Sequence, residues 1–277
     1  MSKTRSRGTF LFGVLSVLAI LFLSPILIVL MNSFKGKFFI SDTPFKFPDA
    51  QTFVHLKNYT EGVAKTGFFN AFGMSMFITV GSVAVIVLLT AMTAWYITRV
   101  KTRLTKLLYY IFVFSMIVPF QMVMFTMTKT ANMLHLDNPL GIIVIYLGFG
   151  AGLSVFLFSG FVKSIPLEIE EADLIDGCNP VQSFFHIVLP ILKPIAITVA
   201  ILNVMWIWND YLLPMLVIGT EYRTIPIAIQ YLKGGYGSID MGAMMAMLVL
   251  AILPIVVFYL LCQKYIIEGV VAGAVKG

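Results

Sequence analysis

Charge is what this sequence has least of. Only 12% of its 277 residues are Asp, Glu, Lys or Arg, and 59% are hydrophobic. A soluble domain carries about 25% charged residues. Too little polar surface exists to enclose so much apolar mass in water, so the chain reads as an integral membrane protein. Cysteine is nearly missing: Cys178 and Cys262 lie far apart and form no CxxC pair, which argues against a redox or thiolate centre. Three histidines, His55, His135 and His186, are scattered, and no metal or other cofactor is indicated. A GxxxxGK[ST] phosphate loop is absent, so ATP hydrolysis by that device is excluded for this chain. No low-complexity tract occurs, and the longest polar interval, about residues 35–67, is too short for more than a small cap. The net charge of +6 does not point to nucleic acid, because the basic residues flank apolar runs as membrane orientation requires.

What is present is a series of uncharged runs: residues 8–34, 68–98, 107–128, 138–162, 194–209 and 241–263. The fifth continues past a single acid, Asp210, to residue 220. Each can supply the roughly 20 apolar residues that cross a bilayer as a helix. At that length only a helix satisfies its own backbone in lipid. The expected fold is therefore all-α and polytopic, one transmembrane domain over residues 1–277 with six transmembrane helices. Lys3, Arg5 and Arg7 followed by an apolar run resemble a secretory leader. That run is too long for a leader's core and no small-residue cleavage site follows, so it reads as a retained first span.

Six spans place both termini on one side. Arg99-Val-Lys-Thr-Arg-Leu-Thr-Lys106 holds four basic residues in eight with no acid, a strong cytoplasmic marker. The termini and the segment between spans four and five then face the cytoplasm. Within the spans, Gly148, Gly150 and Gly152 suit close helix packing rather than phosphate binding. Ser75, Thr79 and Ser82 fall at i, i+4, i+7 and form a small polar stripe suited to helix contact.

The segment at 164–194 is polar and punctuated by proline. Pro166 suits a helix start, and Glu168, Glu170 and Glu171 sit where the helix dipole favours negative charge. Gly177 can end that helix in the left-handed conformation. Asn179 and Pro180 supply a cap and a first-turn proline for a second helix. There Val181, Phe184, Phe185, Val188 and Leu189 fall on one apolar face. Pro190 and Pro194 redirect the chain into span five. The expectation is a short acidic helix, a glycine bend and an amphipathic helix. Small residues such as Ala172 and Gly177 would let another protein approach.

The stretches "EEADLIDG" and "FFHIVLPILKP" resemble the EAA signature of binding-protein-dependent ABC importer permeases. One departure is Asp173, which stands where that signature usually has a second alanine. "WIWNDYLLPMLVI", residues 206–218, and the ending "QKYIIEGVVAGAVKG" are similar to the shorter, six-span permease subunit of carbohydrate importers of the maltose type. The resemblance covers nearly the whole chain. It implies the type I permease fold and one half of a heterodimeric pore in a bacterial cell membrane. It implies a second, longer permease subunit, two ATPase subunits and an extracytoplasmic solute-binding protein as partners, with a sugar as substrate. The chain itself would be a non-catalytic transport subunit. Its 164–194 loop would be the coupling helix, with Glu171, Ala172, Leu174, Asp176 and Gly177 at the ATPase. The tail within 264–277, Ala272 to Gly277 above all, would reach between the ATPases.

Sugars are gripped by aromatic faces and neutral hydrogen-bonding groups. Asn203, Trp206 and Asp210 share a helical face at i, i+3, i+7. Asp210 interrupts an apolar run, a residue type that usually faces an interior or an aqueous cavity. Gln121, close to Pro119, is a further candidate for the substrate path. A secondary transporter would show repeats with broken midplane helices, and no such halves are visible here. An intramembrane enzyme would need a nucleophile–base pair or a metal cluster. A sugar phosphate, another possible cargo, would call for arginines or lysines along the path, and the spans contain none.

Overall fold

The computed structural model describes residues 2–175, 177–219, 221–233 and 239–274. Asp176 and residues 275–277, named above, lie outside the described residues, as do the side chains of Leu174 and of residues 266–274. The described chain is helical: α1 (Ser2–Asn32), α2 (Lys37–Asp42), α3 (Lys57–Thr66), α4 (Phe68–Arg99), α5 (Arg103–Ser115), α6 (Phe120–Met133), α7 (Pro139–Val162) and α8 (Leu167–Ile175). A composite helix follows, made of α9 (Pro180–Ser183), a π-helical segment (Phe184–Val188) and α10 (Leu189–Ile191). Then come α11 (Lys193–Asn209), α12 (Leu212–Val217), α13 (Ile225–Gln230) and α14 (Met241–Ala274). The helices pack as two compact units, residues 1–69 with 228–254 and residues 70–227 with 255–277.

Among the described residues, four helices are long and apolar enough to cross a membrane: α1, α4, α7 and α14. The count reaches six when two bent pairs are each taken as one span. The third apolar run is not the straight helix that residues 107–128 suggested. It is α5 and α6, bent by 108°, and the reason is Pro119. Proline has no N–H to donate and drives the residue before it out of the helical region, so α5 stops at Ser115 and α6 restarts at Phe120. The fifth run is also broken. α11 has 17 residues, a length of about 25 Å, and ends where Asp210 turns extended with ψ 124°. α12 resumes two residues later.

In the first unit, α1 is exposed or half-buried from Phe10 to Met31. Its apolar surface is not covered by the other described helices of this unit, as expected of a helix that meets lipid or another subunit. α3 is held to the start of α14 by Lys65, which bridges Glu61 and Asp240 at 2.8 and 2.6 Å.

The second unit carries the larger core. Ile86, Ile142, Tyr146, Val155, Phe158, Val188 and Val199 are fully buried in it. Ser75, Thr79 and Ser82 are buried as the stripe predicted, and Ser75 Oγ accepts from the Ile225 backbone N–H at 2.8 Å. A β-carbon at Gly150 would lie 2.7 Å from Ile86 and 2.9 Å from Asn203, and one at Gly152 would lie 2.7 Å from the Phe112 carbonyl. These glycines let α7 approach α4, α5 and α11 closely. Gly148 has open space around it and plays no such part.

Candidate functional site

Two polar clusters stand out in the second unit. The first is the 164–194 insert. α8 begins after Pro166 and carries Glu168 and Glu170 in its first turn. The glycine bend is present: Gly177 has φ +91°, a region that a β-carbon makes costly. Asn179 caps the second helix. Its side chain accepts from the N–H groups of Val181 and Gln182, and the Gln182 side chain reaches back to the Asn179 N–H. This is a capping box closed on both sides. The expected single apolar face is split. Phe184 and Val188 are buried, whereas Val181 and Phe185 are exposed. The π-helical turn from Phe184 to Val188 shifts the register, so the spacing expected of a pure α-helix no longer holds. The chain then bends by 77° into α11.

Glu170 does not simply sit at the helix start. It is 5% exposed and is gripped from α4. Arg99 donates to it from Nε at 3.0 Å and from Nη2 at 2.6 Å, and Trp95 Nε1 donates at 2.9 Å. Arg99 Nη2 also donates to the Ile165 carbonyl at 3.0 Å. Trp95 in turn packs on Phe184, ring centroids 5.6 Å apart. A buried carboxylate is tolerable only with such full pairing. Arg99 had read as a topology marker and Glu170 as a dipole residue. No spacing rule joins residues 71 apart in the chain, so the pair was invisible in the sequence.

The residues expected to meet a partner are distributed differently. Glu171 and Ala172 are exposed, as is Gly177. Around them stand apolar side chains with nothing over them: Leu167, Ile169, Ile175 and Val181, with Ile175 85% exposed. Asp173 points into the insert instead. It accepts a short hydrogen bond from Ser183 Oγ across the bend. Bonds from Ser183 and Cys178, with the nearby His186, hold its carboxyl below the usual carboxylate range. An alanine there could not brace the two helices in this way.

The second cluster lies where α5 gives way to α6. A cavity of about 300 Å³ is lined there by Ser115, Met116, Phe120, Phe149, Asn203 and Trp206, among others. Asn203 is buried and donates to the Val199 carbonyl at 2.8 Å and to Ser154 Oγ at 3.4 Å. Trp206 is 39% exposed and stands edge-on to Tyr146, centroids 5.4 Å apart. Tyr146 donates its hydroxyl to Asp210 Oδ2 at 3.1 Å, and Asp210 Oδ1 accepts from the Leu212 and Leu213 N–H groups. Asp210 thus caps α12 as well as closing the cluster. Asn203 and Trp206 share the cavity wall, and Asp210 joins them through Tyr146. Gln121 is exposed and does not line this cavity. Tyr146 went unnoticed in the sequence. Its signal was the line of Tyr146, Gly150 and Ser154 at i, i+4, i+8 on α7.

The described residues combine membrane-length helices, a helix–bend–helix insert between spans and, at a broken helix, a cavity lined mainly by apolar side chains with Ser115 and Asn203 among them. Residues 86–271 match the family described as the inner membrane component of binding-protein-dependent transport systems, and the chain belongs to that family. It is 41% identical over 261 residues to AmyC of Thermoanaerobacterium thermosulfurigenes, a probable starch degradation products transport permease, covering 94% of each chain. It is 35% identical to MsmG of Streptococcus mutans, a multiple sugar-binding transport permease, covering 95% of each. It is 32% identical to MelC of Bacillus subtilis, a melibiose/raffinose/stachyose import permease, covering 91% of each. The fold matches a chain in the crystal structure of a bacterial ABC transporter that imports alginate. The TM-score is 0.77 at 20% identity, over 96% of this chain and 98% of that one.

Proposed function

We propose that this chain is the permease subunit of an ATP-driven importer for oligosaccharides, and that it is one functional domain contributing half of the translocation pore. The sugar assignment rests on relatives that share most of their length with it and are named for starch products and for melibiose, raffinose and stachyose. A second homologous permease completes the pore. Two ATPases dock on the cytoplasmic side, where both termini also lie, and a solute-binding protein delivers substrate from outside. The chain has no catalytic role, since ATP is hydrolysed by the ATPases.

The observation that carries the coupling role is the exposed face of the insert. Glu171 and Ala172 stand there beside uncovered Leu167, Ile169 and Ile175, an apolar patch on a segment otherwise rich in acids. Such a patch marks a docking surface. ATPase closure would push on this face. Glu170 and Arg99 would carry the displacement from α8 to α4 because a bidentate buried pair resists shear. The spans would then exchange between two packings, and sugar would pass along Asn203, Trp206 and Asp210, with aromatic Trp206 as the stacking surface.

Two experiments test this. Cells lacking the chain should lose uptake of at least one labelled oligosaccharide, and uptake of every sugar at the normal rate would refute the function. The variant Gly177→Trp strains the bend, where φ is +91°, and places a large ring on this open face, so it should remain in the membrane yet fail to retain the ATPase. Normal co-purification of the ATPase would refute the docking surface.

A further inference from the structure

A second pocket, of about 350 Å³, lies between the end of α4, the start of α5 and the end of α7. Lys101, Lys106 and Lys163 line it, together with Thr98, Tyr109 and Ser159, and no carboxylate does. Arg99, next in the chain, is neutralised by Glu170, whereas these three lysines make no ion pair among the described residues. Lys163 is held over the Tyr109 ring, its Nζ 5.5 Å from the centroid. The first turn of α5, a helix of 13 residues, starts here, with its Thr102 and Thr105 N–H groups closed in a capping box, and the positive end of the helix dipole favours an anion nearby. An independent observation points the same way. Ser159 is 1% exposed, lines the pocket, and its Oγ has no hydrogen-bond partner among the described residues. A buried hydroxyl left without a partner is costly, and a phosphate oxygen would satisfy it.

We infer that this pocket binds the phosphate of an anionic phospholipid headgroup. The neighbouring face of α5 favours a lipid over a soluble phosphate compound. Leu104, Leu107 and Ile111 fall at i, i+3, i+7 and are 64%, 56% and 53% exposed, a ready surface for the acyl chains below such a headgroup. Basic pockets between transmembrane helices are suited to anionic headgroups, and each lysine near the membrane surface contributes an affinity factor of about fivefold. The chemistry is independent of which solute the transporter carries.

The test uses the assembled transporter, purified with its partner subunits and placed in vesicles of phosphatidylcholine alone or of phosphatidylcholine and phosphatidylglycerol in equal amounts. The rate of amine acetylation at Lys101, Lys106 and Lys163 is read by peptide mass spectrometry, relative to exposed Lys46. Protection by phosphatidylglycerol of about fivefold or more at all three is expected. Lys101→Gln with Lys163→Gln should abolish the protection of Lys106 without affecting assembly, and Ser159→Leu, which fills the pocket, should do the same. Equal rates in the two vesicles would overturn the site. So would protection of Lys106 that survives the double substitution. Equal protection in phosphatidylcholine by millimolar inorganic phosphate would overturn the lipid and assign the pocket to a soluble phosphate compound.

Discussion

The insert and the cavity region each hold one carboxylate, Glu170 buried and Asp210 half-buried, and they do so by opposite means. Glu170 is met by a guanidinium and an indole N–H. Asp210 is met by neutral donors only, the Tyr146 hydroxyl and two backbone N–H groups. An ion pair of fixed geometry is rigid and becomes costly when one partner is lost. A carboxyl group held by neutral dipoles can exchange those partners for the hydroxyl groups of a solute. The first arrangement suits a joint that transmits force, and the second suits a surface that must bind and release.

The comparison breaks most visibly at Arg99. Arg99→Ala leaves Glu170 buried without its counter-charge, a loss of about 3–5 kcal/mol. The assembled transporter should melt well below the parent, and uptake should be abolished. Exchanging the charges, Arg99→Glu with Glu170→Arg, should recover only part of the melting temperature, because the bonds to Trp95 and Ile165 are not rebuilt. Full recovery would mean that charge alone matters at the joint.

Trp206→Ala removes the half-exposed ring of the cavity and its edge-on contact with Tyr146, an aromatic contact of about 0.5–1.5 kcal/mol. Melting should shift little, while uptake at low sugar concentration should fall about tenfold, as expected for a lost stacking surface of roughly that energy or slightly more. Equal losses of stability and uptake would make Trp206 a packing residue. At Asp210 the two functions separate. Asp210→Asn keeps the oxygen that accepts from the α12 N–H groups and replaces the Tyr146 acceptor with an amide NH2 that can donate to the Tyr146 hydroxyl oxygen, so stability should hold, and any change in uptake reports the charge. Asp210→Ala should cost about 1 kcal/mol through the lost cap.

The smallest effect is at Asp173. Its carboxyl titrates lower in the folded insert than in an unfolded chain. Its contribution is therefore complete above the unfolded value and disappears as pH falls through the lower, folded one. Protection of the amides in this insert, corrected for the intrinsic exchange rate at each pH, should fall on acidification in the parent protein. Asp173→Ala should exchange faster at neutral pH and show no such acid-induced step.

Much of this architecture could be read from residue pattern. Apolar runs located the spans, and Asn179-Pro180 and Gly177 located the turn of the insert, because caps and left-handed glycines are decided within a few residues. The bend at Pro119 was written in the sequence but not weighed: proline is often absorbed within membrane helices, and here it breaks the helix instead. Asn203 and Trp206 were accessible through their helical spacing. Gln121 shared only a nearby proline, and the 108° bend leaves it off the cavity wall.

Composition alone determined that this chain lives in lipid and is helical, since 59% apolar residues can be neither covered in water nor threaded through a bilayer with unpaired backbone. Tertiary structure alone decided which charges are buried, which are joined and which stand bare. Glu170 and Glu171 are neighbours of the same chemistry, yet one is locked to Arg99 and the other faces outward. The cost of burying a charge depends on what lies within a few ångströms of it in space, and for Glu170 that partner lies 71 residues away along the chain.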